Sequence, residues 1–105
     1  GIVDNWLRHV GDVMDKHQNA LDRFAEQTRL DVLCELNVIE QANNVCQSTV
    51  MNDAWRRGQK VTVHAWVYAL KDGRLKALNN GIGDLSQVHA EYHRAIKSSL
   101  ERNRD

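Results

Sequence analysis

The 105-residue chain contains no proline, so no helix is interrupted and no loop stiffened by that route. Cysteine is scarce too. Two residues exclude the disulfide framework that staples small secreted domains. An excess of one charge is missing: Lys+Arg and Asp+Glu are each 14, and the formal net charge is +0. That argues against a nucleic-acid binder relying on bulk charge, which would be strongly basic. No apolar run approaches the ~18–20 residues of a membrane-spanning helix. The first ten residues, GIVDNWLRHV, lack a basic start followed by an apolar stretch. The expectation is a cytoplasmic, reduced protein with neither nucleic acid nor membrane as partner.

What remains is an ordinary soluble mixture, 42% apolar and 27% charged, enough for one small domain or a piece of one. The chain opens Gly1-Ile2-Val3 without a methionine and in a helical pattern almost at once. Such a start fits a processed product, an engineered piece or a fragment of something longer.

Residues 3–24 read as an amphipathic helix, with Val3, Trp6, Leu7, Val10, Val13, Met14, Leu21 and Phe24 mostly three or four apart. Thr28, with Asp31 three residues on, is the expected N-cap of a second helix over about 29–57. Its apolar set covers more than one stripe and is interleaved with Asn37, Gln41, Asn43, Asn44 and Ser48. Such a length predicts a kink around Asn43–Thr49. From Lys60 to Leu70 the period becomes two: Val61, Val63, Ala65, Val67 and Ala69 alternate with Thr62, His64, Trp66, Tyr68 and Leu70. Apolar character on both sides predicts a buried strand. Asp72-Gly73 signals a hairpin turn, and residues 74–78 a short return strand. Asp84, with Gln87 three on, should cap a last helix over about 85–101.

Candidate chemistry is sparse. His89 and His93 lie one helical turn apart, the spacing of metal-binding helices, but Ala90 stands where a zinc-protease helix has Glu. Two solvated surface histidines are the plainer reading. Cys34 and Cys46 would be ~18 Å apart on one helix, too far for a disulfide or a shared ion, and read as buried thiols. Ser48, Ser86, Ser98 and Ser99 sit in helical or capping contexts, and Gly81-Ile82-Gly83 is a bare glycine pair. The carboxylates read as solvated. The strand face His64, Trp66, Tyr68 is a polar-tipped core or interface, or an anion pocket beside the strand.

Three separated blocks, in order, resemble the C-terminal part of β-class carbonic anhydrases of bacterial type. They are Gly1-Ile2-Val3-Asp4-Asn5-Trp6-Leu7, the run Cys34-Glu35-Leu36-Asn37-Val38-Ile39-Glu40-Gln41, and Ala54-Trp55-Arg56-Arg57-Gly58-Gln59-Lys60-Val61-Thr62-Val63-His64 with Trp66, Tyr68, Asp72 and Gly73. Ala65 departs from the glycine expected before the Trp. The segment 79–87 matches only loosely.

The resemblance implies an α/β family fold, of which these residues form one fragment, 1–105, mostly α-helical with one long strand and a short hairpin partner. It implies reversible hydration of carbon dioxide to bicarbonate on zinc in the full-length parent. It places the zinc ligands in a Cys-x-Asp-x-Arg motif and a later His-x-x-Cys motif. Neither occurs here, so no catalytic or metal residue carries over. By the resemblance both motifs lie upstream of Gly1. Tyr68 matches a strand tyrosine that binds bicarbonate at a non-catalytic inhibitory site in regulated members, whose Trp and Arg partners are also upstream. The chain alone is expected to hold no cofactor, to be inactive and to form a homo-oligomer. Two alternatives are a non-catalytic helical interaction module and a small metal-binding protein using His89 and His93.

Overall fold

The helical periodicity at the start of the chain yields two helices where one was expected. In the computed structural model, which describes residues 1–69 and 73–104, α1 spans Ile2–Lys16 and the single turn α2 spans Gln18–Leu21. The break falls at His17 (φ −113°, ψ 18°). The apolar stripe has a gap between Met14 and Leu21, so no packing face holds the helix straight there. His17 instead turns its ring onto the carboxylate of Glu40.

The second helix is divided as well. α3 spans Glu26–Cys46 and α4 spans Thr49–Arg56, so the expected kink is present, at Gln47 and Ser48. Ser48 is extended, and its hydroxyl accepts from the Met51 N–H at 3.2 Å. The Asn52 amide donates to the Cys46 and Ser48 carbonyls at 3.2 and 2.7 Å. Side chains thus take over backbone groups that a continuous helix would pair internally. The start of α3 corrects the expectation for Thr28, which lies inside the helix. The N-cap is Ala25, without a side-chain bond. Arg29 does the fastening: its guanidinium donates to the carbonyls of Leu21 and Phe24 at 3.1 and 3.0 Å.

The expected eleven-residue strand is much shorter. β1 spans Trp66–Ala69 and pairs antiparallel with β2, Arg74–Ala77, placing Trp66 opposite Ala77 and Tyr68 opposite Leu75. Leu70 and Asp72 lie outside the described residues, while Gly73 has φ +66°, the left-handed conformation a tight turn requires. Upstream of β1 the pairing thins to a single bond, Leu78 N–H to the Ala65 carbonyl at 2.7 Å, and an isolated bridge between Val63 and Ile82. In between, the Asn79 side-chain oxygen accepts from the Ala65 and Gly81 N–H groups, both at 3.1 Å, and replaces a strand neighbour. The chain then makes a 3₁₀ turn, Leu85–Gln87, and enters α5, Val88–Arg102. Asp84 caps the turn rather than the helix itself, accepting from Ser86 N–H at 3.0 Å, and Gln87 accepts from Gly83 N–H at 2.9 Å.

α3 and α5 carry the core between them. One end is built from Val13, Leu21, Val32 and Leu36, with Phe24, Ile96 and Leu100 against them. The middle is Ile39, Ala42, Ala65, Leu78 and Ala95, and the far end is Cys46, Ile82 and Val88. Only one face of the strand segment joins in: Ala65 is buried and Val63 and Val67 are half-buried. Trp66 and Tyr68 are 52% and 57% exposed, which corrects the expectation of a strand buried on both sides.

Ala65, the departure from the resembled pattern, is 1% exposed among Ile39, Ala42, Leu78 and Ala95. There is no room for a larger side chain. Ala65→Leu is expected to lower stability by about 1–3 kcal/mol through overpacking. Urea unfolding of both proteins checks this, the expected sign being a lower midpoint at unchanged slope.

Candidate functional site

The residues singled out from the sequence come together only partly. His64, Trp66 and Tyr68 do share one side of the strand segment, with the His64 and Trp66 rings 5.8 Å apart. That side is the outer face of the hairpin, open to solvent, and Leu75 beside Tyr68 is 60% exposed. It is a surface strip rather than a lined pocket. Cys34 is exposed on α3, against the expectation of burial, whereas Cys46 is fully buried and its thiol is pushed up by that burial. Of the serines, Ser48 caps α4 and Ser99 is buried on the inner side of α5.

His89 and His93 are exposed near the start of α5, their rings edge to face at 4.4 Å. They line a cleft of about 610 Å³ with Lys16, His17, Asn43, Gln47 and Tyr92. Beside the cleft stands Glu40, only 6% exposed. Three donors from two parts of the chain converge on its carboxylate. Lys16 at the end of α1 donates at 3.1 Å, His17 between α1 and α2 lies at 2.8 Å, and the Tyr92 hydroxyl from α5 completes the set. The Lys16 ammonium also sits 4.9 Å from the centre of the Tyr92 ring. Burial opposes charge on Glu40, but the bonds from His17, Tyr92 and Lys16 outweigh it and bring its pKa down to about 2. Burial and then the neighbouring carboxylate push Tyr92 up, so its hydroxyl stays a donor.

A second buried carboxylate, Glu35, is 3% exposed. Ser99 donates to it at 2.7 Å and Lys76 of β2 at 3.2 Å, and Arg102 and Asn103 at the end of α5 reach the same group. Burial again opposes its charge, and Ser99, Arg102 and Lys76 overcome this to hold the carboxyl below the usual range. Glu35 therefore ties α3 to both α5 and the hairpin. Reading the carboxylates as solvated missed both groups. A signal was present: Glu35 is four residues from Ile39, and Glu40 four from Leu36, on a helix apolar on more than one side. Asn37, by contrast, keeps a buried Oδ1 without a hydrogen-bond partner among the described residues.

Comparison with known proteins gives the family of the chain. The family model described as carbonic anhydrase matches residues 1–75. The chain is 40% identical over 101 residues to a carbonic anhydrase of Emericella nidulans, a match covering 94% of this chain and 44% of that protein. The solved structure of a Coccomyxa β-carbonic anhydrase in complex with acetazolamide superposes with a TM-score of 0.79 at 31% identity, over 94% of this chain and 46% of the other. The chain belongs to the β-class carbonic anhydrase family. It spans less than half the length of either relative.

Zinc is the metal expected of a β-class carbonic anhydrase, and the described side chains do not fit it. A catalytic zinc needs three protein ligands around an open position. Among the described residues no three His, Cys, Asp or Glu side chains are grouped to hold an ion. The His89–His93 pair has no third ligand of these types among the described residues, and the Glu40 carboxylate is already taken up by Lys16, His17 and Tyr92.

Proposed function

We propose that this chain is the C-terminal portion of a zinc-dependent β-class carbonic anhydrase, a lyase that interconverts carbon dioxide and bicarbonate in the cytoplasm as a homo-oligomer. In the parent, zinc would lower the pKa of a bound water so that hydroxide is available near neutral pH. The part played by these residues is structural. α3 and α5, locked by Glu35 and Glu40, cover the core and carry the hairpin. The carrying observation is the mismatch of coverage: 94% of this chain aligns with relatives of which it spans 44% and 46%. The absence of both zinc-ligand motifs from the 105 residues supports the same reading. Mass spectrometry of the native product tests it. Peptides of this chain should come from a protein about twice its 12.0 kDa. A native product of 12.0 kDa would overturn the reading. It would favour a non-catalytic helical module instead, which the exposed apolar side of α1 supports.

On this reading Tyr68 serves a bicarbonate site completed by other parts of the parent, its outward placement leaving the hydroxyl free to reach a neighbouring segment. Tyr68→Phe in the parent should weaken bicarbonate inhibition on the order of tenfold, the value of one hydrogen bond to a charged group, with zinc content unchanged. Inhibition curves for the two proteins check this. Superimposable curves would make Tyr68 structural.

A further inference from the structure

We propose that His89 and His93 form a two-imidazole site for a divalent first-row ion that takes its ligands at right angles, copper(II) or nickel(II). The two residues are i and i+4 on α5, so their side chains stand one above the other on a single face. Both are exposed, and among the described residues neither ring makes a hydrogen bond. Their ring contacts are with each other and, for His93, with Tyr92 at 5.1 Å. The other three histidines are engaged elsewhere. His9 has a buried Nε2, and His17 is bonded to Glu40. The His64 ring closes on Gly81, where an added Cβ would meet it at 3.0 Å.

The separation of the two rings selects the ion. A metal–nitrogen bond of about 2.0 Å puts each ring centre roughly 3.2 Å from the ion. Two rings at a right angle then have centres about 4.5 Å apart, and two at the tetrahedral angle about 5.2 Å. The observed 4.4 Å matches the right angle. Because both side chains are exposed, a turn about χ2 suffices to aim a nitrogen of each at one ion. Among the described residues no third His, Cys, Asp or Glu joins the pair. A tetragonal ion does not need one, since water fills its remaining positions, whereas zinc asks for three or four protein ligands. The surroundings accept the charge. Lys16, the cation that lines the cleft, is already paired with Glu40 at 3.1 Å. Asn43 and Gln47, in the same cleft, bring carboxamides that can bond the ion's waters. An ion held this way staples the first two turns of α5, the helix that carries Tyr92 to Glu40 and Ser99 to Glu35.

Nickel(II) is the probe, because copper(II) would oxidise the exposed Cys34 thiol. Isothermal titration of the 105-residue chain near neutral pH should show one equivalent of nickel bound. His89→Ala and, independently, His93→Ala should each weaken binding about tenfold or more, since a two-nitrogen chelate becomes a single imidazole. Both positions are exposed and alanine suits a helix, so circular dichroism should show the fold retained. His64→Ala should bind as wild type. Millimolar nickel should raise the Tm of the wild type by about 5 °C or more, and that of His93→Ala by much less. No binding at millimolar nickel overturns the site. Binding that survives either α5 substitution overturns it as well, and would place the ion on the Cys34 thiol or the amino terminus. The reading of the chain as part of a larger enzyme stands or falls separately, by the mass of the native product.

Discussion

Glu40→Gln is expected to lower the unfolding free energy at pH 7 by about 3 kcal/mol, a large share of what a domain of this size possesses. The carboxylate is 6% exposed and holds Lys16, His17 and Tyr92 at once. The amide keeps the volume but removes the charge, and one of its ends is a donor facing other donors. The effect has a defined pH signature. The pKa of Glu40 falls from 4.5 in its ordinary state to about 2 in the fold. A carboxylate depressed in the native state contributes stability that is fully present above its unfolded pKa and lost as pH falls through the folded one. Wild type and Glu40→Gln should therefore differ by a constant amount above about pH 5, converge between there and pH 2, and coincide below. Urea unfolding at a series of pH values measures this. A difference that persists unchanged below pH 2 would mean that lost packing, not lost charge, is the cause. Because two of the three donors come from the α1–α2 elbow, the same substitution should raise amide exchange first in residues 2–21.

Much of the fold was legible because the helices are strongly periodic. α5 and the division of α3 from α4 follow from apolar spacing and from Ser48, whose hydroxyl caps locally. The failures have particular causes. Alternation over residues 60–70 reads as a strand, yet a strand needs a neighbour for its backbone, and among the described residues only 74–78 and Ile82 supply one. Asn79 fills the gap with a side chain, an arrangement that no local pattern signals. Thr28 and Asp31 imitate a capping box, while the real start of α3 is secured by Arg29 reaching back to Leu21 and Phe24. The buried carboxylates were hidden for a similar reason. Their partners lie 24, 52 and 64 residues away in sequence, in Lys16, Tyr92 and Ser99. The family was legible from three short blocks, but the outward placement of Tyr68 depends on which strand face the core takes.

The chain alone is expected to accelerate carbon dioxide hydration not at all, against the ~10⁶ s⁻¹ that a zinc-bound hydroxide reaches in an open three-ligand site. The reason lies in the residues. The 105 positions contain neither Cys-x-Asp-x-Arg nor His-x-x-Cys. The described side chains group no three suitable ligands, so an ion held at His89 and His93 would lack the third ligand that fixes an open coordination position. Stopped-flow hydration by the purified 105-residue chain, with and without equimolar zinc, is the direct measurement. Rates equal to those of the matching buffer and zinc blanks are predicted. A zinc-dependent rate well above the blank, abolished by a chelator and recovered on adding zinc back, would contradict the division of labour in which these residues build the scaffold and the rest of the enzyme supplies the metal.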